Sequence, residues 1–226
     1  AGEVAAHVVG FTDIDERGRE GMELALDEWL GGAPGVRRIV KDLKGNVVKD
    51  LGVMRAAASG NDVQLSLDLR LQYLAYRELK NAIAQQGAVS GSIVMMDVHT
   101  GEILAMANQP SYNPNNRAQV QQAQLRNRAV TDLVEPGSTM KPFTVVAALE
   151  SKRYFPATKI DTNPGYWRVG GKTYHDFKNY GVIDLTTAIQ KSSQVAITKL
   201  AMDLPPEDLR GLFHRVGLGQ ASGTGF

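Results

Sequence analysis

Ser138 and Lys141 lie three positions apart in the sequence Ser-Thr-Met-Lys, which follows Glu-Pro-Gly and precedes an apolar run. Gly137 and Pro142 favour a turn that leads into a helix, because glycine adopts unusual backbone angles and proline is tolerated in a first helical turn. Residues at i and i+3 are neighbours on a helix, so we expect the amine of Lys141 to reach the hydroxyl of Ser138. The spacing therefore predicts a serine nucleophile whose proton is taken by a lysine.

The lysine amine can accept this proton only while it is neutral. Burial disfavours the charged form of a lysine and lowers its pKa, and the positive end of a helix dipole acts in the same direction. The same tetrapeptide also fits a solvated helix start at which the serine is the N-cap. Taken alone, it leaves a catalytic and a purely structural interpretation open.

A second polar group occurs further along the chain, at Ser192, Ser193 and Gln194. It interrupts a helical pattern, and a short polar break of this kind can direct a side chain at a neighbouring site rather than into the core. Penicillin-binding proteins and related enzymes combine Ser-x-x-Lys with a second serine element and a Lys-Thr-Gly strand. The two serine elements are therefore candidates for one site.

The hydrophobic pattern predicts the elements that must position these residues. Helices are predicted over residues 20–30, 68–86, 118–125, 138–151 and 184–200, the last interrupted at 191–194, and strands over 36–42, 46–51, 63–67, 90–98 and 102–107. Asp68 is a suitable N-cap for the second helix, and Gly87 a suitable stop. We expect residues 152–182 to form loops or short strands. His175 and Asp176 could line the cleft, but solvation in a loop is the favoured interpretation.

Composition excludes several classes of function. The 226 residues are 43% hydrophobic, enough for one substantial core and a smaller second module. Lys and Arg total 25 against 24 Asp and Glu, so nothing favours nucleic acid as a partner. The lack of cysteine excludes disulfides and thiolate metal sites, and the scattered histidines predict no metal site. No stretch approaches the ~18 apolar residues of a membrane span.

Eight sequence blocks, in order along nearly the whole chain, resemble class B penicillin-binding proteins, in particular the division-specific (septal) D,D-transpeptidases. They are GFTD (10–13), GME (21–23), DVHTGEILAM (97–106), PSYNPN (110–115), RNRA (126–129), EPGSTMKP (135–142), NYG (179–181) and QKSS (190–193). Eight ordered blocks are hard to match by chance, so the resemblance favours the catalytic interpretation of Ser138 and Lys141.

The resemblance implies an α+β (mixed α/β) fold in which helices pack on an antiparallel sheet, the penicillin-binding transpeptidase fold, incomplete at its C-terminus. It implies that residues 1–60 are the C-terminal part of a non-catalytic pedestal module. Residues 61–226 would be the N-terminal portion of the transpeptidase domain.

The resemblance also implies a role for each site residue. Ser138 would be the acylated nucleophile, attacking the D-alanyl-D-alanine carbonyl of a peptidoglycan stem peptide or the ring carbonyl of a β-lactam. Lys141 would be the base, and Ser192 would relay a proton to the leaving group. Ser193 and Gln194 would contact the substrate, and the Ser138 N–H would form half of the oxyanion hole. No cofactor and no metal are implied.

Two features depart from the family pattern. Gln194 stands where the family has asparagine, and one added methylene displaces the amide by about an ångström. A Lys-Thr-Gly or Lys-Ser-Gly strand is also missing, since Lys172-Thr173 is followed by Tyr174 and residues 222–224 have no preceding lysine. We therefore expect this chain alone to be poorly active or inactive.

The expected partners are peptidoglycan stem peptides, β-lactams and membrane proteins of the division complex, with no nucleic acid. The resemblance places the protein at the periplasmic face of the bacterial inner membrane, at the septum, with a membrane anchor in the full-length protein but not in this chain. Two alternatives stay open. One is a penicillin-binding sensor without turnover, which the replacement of asparagine by Gln194 supports. The other is a β-lactamase, although no residue clearly activates a deacylating water.

Overall fold

Helices and short antiparallel strands alternate along residues 2–221 and 223, which are the residues that the computed structural model describes. They divide into two units, one ending at Leu133 and the other beginning at Val134. Each unit combines helices with two-stranded antiparallel sheets, which confirms the predicted mixed α/β class. The predicted boundary near residue 60, between a pedestal module and a transpeptidase domain, stays a prediction.

The first unit contains six helices and six strands within its described residues. The helices are α1 (Ala6–Val9), α2 (Gly21–Ala25), α3 (Asp27–Leu30), α4 (Leu69–Gln86), α5 (Gln122–Leu125) and α6 (Arg128–Thr131). The strands are β1 (Phe11–Thr12), β2 (Gly18–Glu20), β3 (Val36–Lys41), β4 (Val47–Arg55), β5 (Gly91–Met96) and β6 (Ile103–Gln109).

The core of this unit forms where α4 packs on the β5–β6 hairpin. Asp68 caps α4 by accepting hydrogen bonds from the N–H groups of Arg70 and Leu71, as predicted. Gly87 ends the helix in the left-handed conformation, at φ +61°. The buried side chain of Gln72 bonds to both the N–H (2.7 Å) and the carbonyl (2.9 Å) of Met106, so it joins the helix to the strand.

The second unit, which holds every predicted site residue, contains four helices and four short strands within its described residues. The helices are α7 (Lys141–Glu150), α8 (Leu185–Gln190), α9 (Gln194–Asp203) and α10 (Pro206–Arg215). The strands are β7 (Lys159–Asp161), β8 (Tyr166–Val169), β9 (Lys172–His175) and β10 (Val182–Asp184), with β7 paired to β10 and β8 to β9.

The core of the second unit lies between α7, α8, α9 and α10. Its buried residues are Ala147, Ala148, Leu185, Ile197, Leu200, Leu204 and Leu212. The small alanines of α7 let the helices approach closely, while the leucines of α9 and α10 fill the space between them. The core therefore fixes the beginnings of α7 and α9, the two places where the sequence predicts chemistry.

Several predicted elements differ from the structure, and some observed helices were not predicted. The helix predicted over residues 20–30 is divided into α2 and α3 at Leu26, whose backbone leaves the helical region at φ −117°. The strand predicted over residues 63–67 is wrong: the segment joins no ladder, and Ser66 bonds through its side chain to the carbonyl of Ile103 (2.8 Å). Helix α10 had no counterpart among the predicted elements.

Candidate active site

Ser138 lies in a tight turn rather than in an α-helix. Residues Gly137–Met140 form a single 3₁₀ turn, and α7 begins only at Lys141, with Pro142 in its first turn. Gly137 has φ +61°, a conformation that strains any residue with a Cβ, although a Cβ at this position would meet no neighbouring atom. The backbone conformation of the turn therefore favours glycine at residue 137. The side chain of Ser138, the next residue, is exposed.

The Lys141 amine contacts Ser192 and not Ser138. Its Nζ donates to Ser192 Oγ at 2.9 Å and also to the backbone carbonyl of Ser192. No hydrogen bond joins Lys141 Nζ to Ser138 Oγ in the described part of the chain, so the predicted direct pair is not formed. Ser192 presents two oxygens at one place, and they accept from two N–H groups of the amine.

The environment of Lys141 lowers its pKa from the ordinary value of 10.5. The main cause is partial burial, which penalises the charged amine, and the negative charge of Asp176 opposes part of this effect. The direction agrees with the sequence argument, since a lower pKa increases the fraction of neutral amine. The cause is burial rather than neighbouring positive charge.

Ser192 lies in the short connection between α8 and α9, with an exposed side chain and a left-handed backbone at φ +52°. Non-glycine residues rarely adopt this conformation, which persists where surrounding contacts hold it. The N–H groups of Ser192 and Ser193 both donate to carbonyls of α8, those of Ile189 and Ala188, at 2.9 Å each. The connection is therefore held from the α8 side, and its exposed hydroxyl is held against Lys141.

Ser193 is the N-cap of α9, with only 1% of its surface exposed. Its hydroxyl donates to Asp176 Oδ2 at 2.8 Å and accepts from the N–H of Ala196 at 3.0 Å. A hydroxyl that is buried and engaged in this way anchors the helix, so its burial argues against the predicted substrate contact. That role of Ser193 stays a prediction that the geometry does not favour.

Gln194 is the first residue of α9, and its side chain is exposed. Its amide makes no hydrogen bond to another described residue, so it can turn toward a bound molecule. Ser138, Lys141, Ser192 and Gln194 thus all belong to one unit, at the starts of α7 and α9. The sequence analysis grouped these residues as candidates for one site, and the structure adds a hydrogen bond between Lys141 and Ser192 that the sequence analysis did not include.

Asp176 lies at the candidate site, although the sequence analysis favoured a solvated loop over a position lining the cleft. It was expected in solvent, yet it is half-buried directly after β9 and accepts from the hydroxyl of Ser193 and the N–H of Val195 (3.1 Å). No local pattern marks this aspartate, because its partners lie 17 and 19 residues further along the chain. Only the packing of the β8–β9 hairpin against α9 brings them together.

Other predicted features can also be located. Lys172 and Thr173 lie in β9, while Ser222 and Thr224 lie outside the described residues. Across residues 2–221 and 223, no three histidine or acidic side chains come together as metal ligands would. No helix in that part of the chain has the length and apolar character needed to cross a membrane.

A serine and a lysine three residues apart at a helix start, with a second serine bonded to the lysine, form the arrangement shared by serine-dependent proteins that recognise penicillin. A family model described as "Penicillin binding protein transpeptidase domain" matches residues 91–226. The chain belongs to the penicillin-binding protein transpeptidase domain family.

Named relatives and solved structures agree with this assignment. The chain is 45% identical over 225 residues to the peptidoglycan D,D-transpeptidase FtsI of Escherichia coli K12, covering 100% of this chain and 38% of that protein. It is 41% identical over 224 residues to the probable peptidoglycan D,D-transpeptidase PbpC of Pseudomonas aeruginosa, covering 99% and 40%. The crystal structure of penicillin-binding protein 3 from Mycobacterium tuberculosis complexed with aztreonam matches with a TM-score of 0.83 and 33% identity, covering 100% and 47%. The chain thus spans less than half the length of these relatives.

Proposed function

We propose that this chain forms part of a serine D,D-transpeptidase that crosslinks peptidoglycan stem peptides during cell division and is inhibited by β-lactams. The observation that carries the proposal is the hydrogen bond between Lys141 and Ser192. Lys141 lies one turn beyond Ser138, whose side chain is exposed. Family membership and the names of the relatives support the same reaction. The aztreonam complex of the M. tuberculosis protein supports β-lactams as ligands.

The hydrogen bonds of Lys141 suggest how Ser138 is activated. A neutral amine has two N–H donors and one lone pair, and Ser192 accepts two hydrogen bonds through its Oγ and its carbonyl. The lone pair then has no partner on Ser192 and is available for the proton of Ser138. The Ser192 contact thus orients Lys141 as a base, while partial burial of the amine favours its neutral form.

The reaction that follows is an acyl transfer in two stages. Ser138 Oγ attacks the carbonyl carbon of the penultimate D-alanine as Lys141 takes its proton, and the C–N bond breaks. Ser192 passes its hydroxyl proton to the departing D-alanine nitrogen and takes back from Lys141 the proton that came from Ser138, so both side chains return to their neutral forms. The amine of a second stem peptide then attacks the ester, which forms the crosslink and returns a proton to Ser138.

A β-lactam follows the first stage only. Its ring C–N bond breaks when Ser138 attacks, but the leaving nitrogen stays tethered to the acyl group. The ester therefore persists, and the protein stays inhibited. The exposed N–H of a first helical turn has no intrahelical partner, so the Ser138 N–H is suited to stabilise the oxyanion in both reactions.

The wider assignments rest on the same resemblance. We propose residues 1–60 as the end of a pedestal module and residues 61–226 as the beginning of the transpeptidase domain. We also propose membrane proteins of the division complex as partners and the periplasmic face of the inner membrane, at the septum, as the location. The name of the E. coli relative supports the enzymatic assignment, and the family model supports the catalytic region.

A penicillin-binding sensor is the second candidate, because Gln194 replaces the family's asparagine at a position that faces solvent beside Ser192. A longer amide can bind a β-lactam yet hold a stem peptide poorly. The sensor would be acylated by penicillin and would form no crosslinks.

Labelling of the intact protein with a fluorescent penicillin tests the proposal. We expect stable labelling that is abolished in Ser138→Ala and retained in Ser151→Ala, a matched serine at the far end of α7. No label on the unchanged protein would refute the family chemistry, and rapid release of the label would favour a β-lactamase. Formation of crosslinked product from donor and acceptor stem peptides then separates the enzyme from the sensor.

A further inference from the structure

Asp176 forms a brace between two elements of the second unit. Its own N–H donates to the carbonyl of Gly165 at 2.9 Å, which fixes its backbone to the start of β8. Its carboxylate accepts from Ser193 Oγ (2.8 Å) and from the N–H of Val195 (3.1 Å). One side chain thus ties the β8–β9 hairpin to the first turn of α9.

The braced residues directly follow Ser192. Ser193 and Val195 flank Gln194, so both ends of this short segment are held by a single carboxylate. Ser192 itself has the left-handed backbone, which requires neighbouring contacts to persist. The direction in which Ser192 presents its carbonyl and its hydroxyl therefore depends on where Asp176 holds Ser193.

A continuous chain of contacts leads from Asp176 to the proposed base. Asp176 bonds to Ser193, Ser193 is covalently joined to Ser192, and Ser192 bonds to Lys141 through two oxygens. The negative charge of Asp176 is also near enough to act on the lysine, because it opposes the lowering of the Lys141 pKa by burial. Asp176 touches neither Ser138 nor, by the proposed reaction, the substrate.

We propose that Asp176 is a positioning residue for acylation of Ser138, acting through Ser193 to hold Ser192 against Lys141. The proposal rests on the proposed serine acyl-transfer function and extends it to a residue outside the sequence motifs. Asp176→Ala removes both hydrogen bonds of the carboxylate, so the β8–β9 hairpin no longer holds the segment that carries Ser192, which keeps its bonds to α8 and the Ser193 cap of α9. Because a displacement of about 1 Å can cost a hundredfold in rate, we expect acylation to slow by about ten- to a hundredfold.

Asp176→Asn separates the effect of the two hydrogen bonds of Asp176 from the effect of its negative charge. The asparagine Oδ1 can accept from the N–H of Val195, and its amide can donate to Ser193 Oγ, which has a second lone pair beside the one used by Ala196. We therefore expect Asp176→Asn to keep most of the acylation rate that Asp176→Ala loses. The result would be rescue by a side chain of the same shape.

Asp203→Ala is the matched control. Asp203 also accepts two side-chain hydrogen bonds, from Arg153 and Tyr154, at the opposite end of α9, about 15 Å along the helix. Its loss removes a carboxylate and two bonds from the same helix, away from Ser192. We expect its acylation rate constant to stay within about twofold of the unchanged protein, as for substitutions remote from a site.

The experiment measures acylation of the intact protein over a range of fluorescent penicillin concentrations. It yields the limiting rate constant, the half-saturating concentration and the labelled fraction. A merely structural role for Asp176 lowers the labelled fraction, because some molecules are unfolded, but leaves the rate constant of the folded molecules unchanged. A positioning role lowers the limiting rate constant in Asp176→Ala and leaves half-saturation nearly constant.

Three results would overturn the positioning role: an unchanged rate constant in Asp176→Ala, an equal loss in Asp203→Ala, or an equal loss in Asp176→Asn. If Asp176→Ala does not fold, Ser193→Ala breaks the same contact from the other side and must lower the limiting rate constant. Failure of the unchanged protein to be labelled refutes the proposed function instead, so the two failures are distinguishable.

Discussion

Replacement of Ser192 separates the chemistry of its hydroxyl from the strain of its backbone. Ser192→Ala and Ser192→Gly both remove the Oγ that bonds to Lys141 at 2.9 Å, while the carbonyl contact to Lys141 can persist. The two variants differ in the cost of φ +52°, which is small for glycine and larger for alanine. The two variants should therefore have the same acylation rate but different free energies of unfolding.

The expected magnitudes follow from these two effects. Loss of a positioned proton-transfer group typically costs 10²–10⁴ in rate, so we expect acylation to slow by about a hundredfold or more in both variants. Relief of the left-handed strain should make Ser192→Gly more stable than Ser192→Ala by about 1 kcal/mol. The larger freedom of glycine in the unfolded chain offsets part of this gain.

The assay combines acylation by fluorescent penicillin with denaturant unfolding of the same preparations. Lys152→Gly is the control, because Lys152 also has a left-handed backbone, at φ +58°, outside the proposed site. Relief of the same backbone strain should make Lys152→Gly more stable than the unchanged protein, with no change in the acylation rate. Acylation at the unchanged rate in Ser192→Ala, or a restored rate in Ser192→Gly, would refute a role for the Ser192 hydroxyl.

The remaining predictions concern the base, the substituted amide and a helix cap. The acylation rate should rise with pH as Lys141 loses its proton, and the midpoint of this rise should lie below 10.5 because burial lowers the pKa of Lys141. A pH–rate profile without this rise would exclude Lys141 as the base. Gln194→Asn shortens the amide by one methylene and should raise the rate of stem-peptide crosslinking by about tenfold, whereas an equal or lower rate would show that this site is adapted to glutamine. The pKa of Asp68 is lowered to about 2, chiefly by its hydrogen bond from Arg70, so its charge stabilises the fold above its ordinary pKa of 3.8 and this contribution is lost as the pH falls through 2. Unfolding midpoints of Asp68→Asn should accordingly differ from those of the unchanged protein at pH 6 and converge with them at pH 2, and a constant difference would contradict that assignment.

Local sequence signals predicted the elements that depend on their own residues. Helix α4 begins and ends where Asp68 and Gly87 indicate, because a capping carboxylate and a left-handed glycine act within one turn of the chain. The strands predicted over residues 36–42 and 46–51 are present for the same reason, and they form the β3–β4 hairpin with Gly45 in its turn. The strand predicted at residues 63–67 failed because β-branched and apolar residues describe a strand only when a partner edge is present.

The candidate site also contains some features that neighbouring residues determine and others that depend on tertiary contacts. The spacing of Ser138 and Lys141 indicated the proposed nucleophile and base, and the polar break indicated Ser192, since all three are marked by their immediate neighbours. The hydrogen-bond partner of Lys141 could not be read in this way. The choice between Ser138 and Ser192 depends on the tight turn at Gly137 and on the left-handed backbone of Ser192, which places two oxygens beside the amine.

The sequence by itself therefore determined the chemical inventory: a serine, a lysine three residues later, a second serine at a break between helices, and the family to which the blocks belong. The tertiary structure decided which groups touch. It paired Lys141 with Ser192, buried Ser193 as a helix cap and brought Asp176 to α9. Residue types and short spacings are properties of the chain, whereas a contact between positions 17 or 51 residues apart depends on how helices and hairpins pack.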